Sequence, residues 1–142
     1  MYIAVKFEVG FYYRVWFGCL AAALVASVIY PQAGARIVYV YSIPTWLGVV
    51  ALNAYEGHGL MSYLKANHYE KWAHITSTPV SGPGGQNSFR SLPFLYSNDD
   101  LGDSTLAELK RRHRAVGKLI LLVFVHYPFV WVLFSIRAQR AA

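Results

Sequence analysis

LILLVFVHYPFVWVLFSI, residues 119 to 136, is 18 residues long and holds no Asp, Glu, Lys or Arg. It is apolar on every side, with no stripe at helical spacing. A helix needs about 20 apolar residues to cross the ~30 Å hydrocarbon core of a bilayer. Two further stretches upstream share the property. Residues 15 to 35 (21 residues) and residues 37 to 55 (19 residues) also carry no charge. In lipid every backbone N–H and C=O must be satisfied within the chain, so each stretch reads as a membrane-spanning helix. The alternative is burial in a soluble core. A chain of 142 residues offers no core able to hide three such helices.

Composition agrees. Hydrophobic residues make up 56% and charged residues only 14%, against about 25% charged in an ordinary globular domain. That excludes a disordered polar chain and argues against a soluble enzyme. The single cysteine, Cys19, excludes an internal disulfide framework and a thiolate zinc cluster. In the first stretch, Gly18, Ala21 and Ala22 are small enough to let another helix approach closely, and Gly48 does the same in the second. Pro44 interrupts the second stretch, which membrane helices tolerate. The first stretch also has features of a cleaved secretory signal. Lys6 and Arg14 precede it, and Ala33-Gly34-Ala35 resembles a cleavage site. A retained span is the expectation, with Glu8 and Arg14 at its boundary.

The net charge of +6 is unevenly distributed. Eight of the 13 basic residues fall between the second and third stretches, at Lys65, Lys71, Arg90, Lys110, Arg111, Arg112, Arg114 and Lys118. Lys6 and Arg14 share that side if all three stretches cross. Only Arg36, Arg137 and Arg140 lie opposite. The positive-inside rule then places the N-terminus and the large loop in the cytoplasm and the C-terminus outside.

The expected organisation has three parts. Residues 1–56 form a transmembrane hairpin. Residues 57–105 are a cytoplasmic interfacial segment. Residues 106–142 are a basic stem running into the third span and a short tail. Leu60, Tyr63, Leu64, Trp72 and Ile75 give a partly helical spacing suited to an interfacial helix that continues the second span. PVSGPGGQNS, residues 79–88, is a break. Its glycines have no following Lys-Ser/Thr, so it is not a phosphate loop, and Ser81 and Ser88 have no base partner. FRSLPFLY, residues 89–96, suits the headgroup region. Thr105 and Glu108 are spaced as a capping box for a helix from about Leu106.

Three features bear on chemistry. Lys110, Arg111, Arg112, Arg114 and Lys118 adjoin the third span. They read as a lipid-headgroup contact rather than a nucleic-acid site. His126 is the one ionisable side chain well inside a span. It is a candidate haem b ligand or part of a quinone-associated anchor, against the simpler reading of a neutral imidazole bonded to Tyr41, Ser42 or Thr45 on a neighbouring helix. His58, His68, His74 and His113 lack the spacing of a metal site, and no catalytic residue set is visible.

Leu64, Lys65, His68 and Trp72 form one spaced block. Asn87, Ser88, Phe94, Leu95 and Tyr96 form a second, and Leu101, Gly102, Asp103, Leu106 and Arg114 a third. Followed by an apolar span, this order resembles the universal stress protein B family of small proteobacterial membrane proteins, over about residues 47 to 136. Tyr69 stands where that pattern has proline, and the first span is additional. The resemblance implies an integral membrane protein of the bacterial inner membrane, without an established catalytic activity, acting in stress response through lipid contact. The residues themselves favour an all-α, non-catalytic accessory subunit. It would pack against a larger respiratory, photosynthetic or other complex, or against itself, with no cofactor of its own and no nucleic-acid partner.

Overall fold

The computed structural model describes residues 9–80, 82–85 and 87–141. Lys6, Glu8 and Ser81, considered above, lie outside the described residues. Five α-helices follow in order: α1 Val9–Ile29, α2 Gly34–Asn67, α3 Tyr69–Thr76, α4 Ser88–Tyr96 and α5 Ser104–Ala141. Among the described residues there is no strand, only an isolated bridge between Thr78 and Gly82. Three helices, α1, α2 and α5, are long and apolar enough to cross a membrane.

The helix ends follow from local chemistry. Pro31 stops α1, because a residue before proline is pushed out of the helical region; Tyr30 sits at φ −125°. A single 3-10 turn, Pro31–Ala33, leads into α2. Helix α2 has 34 residues and keeps Pro44 inside it. The expected second span therefore runs on without a break through Leu60, Tyr63 and Leu64, but the helix ends at Asn67, and Trp72 and Ile75 lie on the separate helix α3. Helix α5 likewise runs unbroken for 38 residues past Pro128.

The capping-box expectation is corrected. Asp103, not Thr105, caps α5, since its Oδ1 accepts the backbone N–H groups of Thr105 (2.8 Å) and Leu106 (3.1 Å). An N-cap carboxylate reaching two orphan donors also suits the helix dipole. Glu108 turns instead to Arg111 one turn on, in a two-pronged pair with both contacts at 2.7 Å.

The chain divides into two compact units. The connecting unit spans Asn53–Val116. Its core joins Leu60 and Leu64 of α2, Ile75 of α3, Phe94 and Leu95 of α4, and Leu106 of α5. Tyr63 and Trp72, noted with Leu60, Leu64 and Ile75 for their spacing in the sequence, pack against this core partly buried. Gly84, at φ +95°, lies against the Trp72 ring, a left-handed backbone that a side chain would strain. The three-helix unit holds α1, α2 as far as Leu52, and α5 from Gly117. Trp16, Val49, Leu119 and Val123 form one cluster in it, and Ala23, Val38, Tyr41, Val130 and Phe134 another.

Candidate functional site

His126 sits midway along the apolar part of α5. Its Nε2 lies 2.7 Å from the Tyr41 hydroxyl on α2, and its Nδ1 lies 3.1 Å from the carbonyl of Leu122 one turn earlier. A carbonyl can only accept, so Nδ1 carries the proton. In the neutral ring Nε2 is then the acceptor, and Tyr41 donates to it. Both ring nitrogens are engaged. Trp16 of α1 meets the ring edge-on at 5.1 Å between centroids. One side chain from each of the three long helices thus meets at this point. Of the three partners weighed from sequence, Tyr41 is the one bonded. Thr45 instead donates to the Tyr41 carbonyl at 2.6 Å.

Gly18, Ala21, Ala22 and Gly48 were expected to pack helices together. All four are exposed, and a Cβ added at Gly18 or Gly48 would meet nothing within 4 Å. Ala23 and Ser27 face inward in their place. Ser27 accepts a hydrogen bond from Arg137 of α5 at 3.0 Å.

In the connecting unit the basic stem divides. Lys110 is 1% exposed. Its Nζ donates to the Asp99 carbonyl at 2.7 Å and lies 4.1 Å from the centre of the Phe94 ring. Lys71 approaches the same ring at 4.8 Å, so two ammonium groups share one aromatic partner. Arg112 forms a buried pair with Glu56 of α2 at 2.5 Å. Arg114 donates to the Ser97 carbonyl at 3.4 Å. Lys110 and Arg112, expected at the headgroups, are thus buried within the connecting unit, and the half-buried Arg114 donates within it. Arg111 and Lys118 remain exposed, Arg111 paired with Glu108.

The Asp103 carboxylate gathers a second cluster. The Tyr63 hydroxyl donates to its Oδ2 at 2.8 Å, and His68 Nε2 reaches the same oxygen at 2.8 Å. The His68 and Tyr63 contacts, with the two backbone donors, hold the Asp103 pKa down to about 2. Lys71, at 3.0 Å, lowers that of Asp99. Just before the cap, Leu101 takes φ 56°, uncommon for a residue with a side chain. Asp99 and Asp100 support that turn by accepting the N–H groups of Leu101 and Gly102. His68 and Asp103 belong to different blocks of the family-like pattern, and nothing in the sequence paired them. Glu56 and Arg112 were also missed. The signal available was positional: Glu56 directly follows one uncharged stretch and Arg112 lies seven residues, about two helical turns, before another on the same side.

Among the described residues no three His, Cys, Asp or Glu side chains gather as a metal site. Compared with known protein families, curated proteins and solved structures, the chain matches none of them.

Proposed function

We infer that this protein is a non-catalytic accessory subunit of a larger membrane complex, held in the bacterial inner membrane by α1, α2 and α5. The observation that carries this reading is unpartnered surface. Only 17% to 22% of each span window is buried within the chain. One face of α1 runs Gly18, Ala21, Val25, Val28, all exposed. Small residues followed by β-branched ones on one face suit close docking of another helix. The distribution of Lys and Arg favours a cytoplasmic connecting unit and an external C-terminus.

The engagement of both His126 nitrogens weighs against a haem-ligating anchor, and the inward use of Lys110, Arg112 and Arg114 weighs against a stem built for lipid contact. Purification in a mild detergent is the test. Co-elution with the same membrane subunits through two successive columns supports the reading, whereas recovery as a lone monomer contradicts it.

A further inference from the structure

Between α1 and α2 lies an apolar groove of about 720 Å³, with Arg36 in its lining at the end beside the α1–α2 turn. Its lining changes along its length. Phe11, Val15 and Trp16 of α1 wall the end far from Arg36, and Cys19, Ala22 and Ala26 wall the half beside it. The side chains that α1 contributes are smaller in that half. From Trp16 to Ala26 is ten residues, or about 15 Å of helix. That is half of the ~30 Å hydrocarbon core, the depth of one leaflet.

Arg36 is exposed and has no protein partner among the described residues. Arg137 on α5, by contrast, has Ser27. A cation at one end of an apolar groove matches an anionic amphiphile. A second copy in the same orientation would bring its own Arg36 to the same level, where like charges repel.

We propose that this groove binds one anionic phospholipid, its phosphate on Arg36 and an acyl chain lying along Cys19, Ala22 and Ala26 as far as Trp16. The lipid belongs to the leaflet on the side of the α1–α2 turn. It seals the splayed hairpin and leaves the Gly18 face of α1 free.

Native mass spectrometry of the full chain, released from micelles holding equal phosphatidylglycerol and phosphatidylcholine, tests this. One retained phosphatidylglycerol is expected, favoured about fivefold, as befits one basic residue against an anionic headgroup. Arg36→Gln should abolish the preference and Lys118→Gln should leave it. A preference unchanged in Arg36→Gln, or lost equally in Lys118→Gln, overturns the proposal.

Fluorescence in vesicles gives an independent reading. Phosphatidylglycerol with brominated chains, as a minor component of phosphatidylcholine vesicles, should quench tryptophan more than brominated phosphatidylcholine at the same fraction. Ala22→Leu, which fills the slot, should remove the difference while leaving far-ultraviolet circular dichroism intact. Equal quenching by the two lipids in the unaltered protein, or an excess that survives Ala22→Leu, refutes the site. So does protection from both lipids, which would mean that a protein covers the groove.

Discussion

Truncating Glu56 should be among the most damaging single changes in the connecting unit. Glu56 is 2% exposed and Arg112 9%, with 2.5 Å between Glu56 Oε1 and Arg112 Nη2. Glu56→Ala would leave the guanidinium buried without its carboxylate. Breaking a buried pair from one side costs about 3–5 kcal/mol, or roughly two to three and a half decades in the folding equilibrium at ~1.4 kcal/mol per decade. Replacing both partners is a different matter. Glu56→Leu with Arg112→Met removes both desolvation penalties and should lie within about 1–2 kcal/mol of the parent. Reversible unfolding in mixed micelles, followed by Trp72 fluorescence in a variant lacking the other tryptophans, gives the four corners of a double-mutant cycle. A loss below about 0.5 kcal/mol for Glu56→Ala would refute the reasoning, because that is the scale of an exposed pair.

Three other outcomes are expected. Asp103 has a folded pKa of about 2 against an ordinary 3.8. Its contribution is therefore complete above the ordinary range and lost as pH falls from about 4 towards 2. In Asp103→Asn that acid-dependent part of the unfolding profile should vanish, and an unchanged profile would count against the cluster. Tyr41→Phe and His126→Phe should each cost about 0.6–1.7 kcal/mol, the range for one hydrogen bond between membrane helices, with the double variant costing less than the sum; strict additivity would mean the two do not interact. Gly18→Leu should leave the unfolding midpoint of the isolated chain unchanged while weakening co-purification with membrane subunits. A lowered midpoint with undiminished co-purification would assign Gly18 to internal packing instead.

The long helices were legible because charge absence over a membrane's thickness is a one-dimensional signal. Residues 119–136 needed nothing but length and polarity. Local signals were less secure where two residues competed for one role. Thr105 and Asp103 both suit an N-cap, and Asp103 prevails because its carboxylate also meets Tyr63 and His68. Exposure on a helix was the least legible. Lys110 to Lys118 read as a uniform basic run, yet α5 turns Lys110 and Arg112 inward. The partners that turn them, Asp99 and Glu56, lie 11 and 56 residues away. The Tyr41–His126 pair, 85 residues apart, was foreseeable only as one of three choices, since helix rotation is not written in an all-apolar segment.

The most direct measurement is fractionation of lysed cells by ultracentrifugation after an alkaline carbonate wash. The uncharged stretches of α1, α2 and α5 should keep the protein in the membrane pellet until detergent releases it. Recovery in the supernatant without detergent would contradict the reading of these helices as spans, and with it the proposed subunit role and the lipid slot.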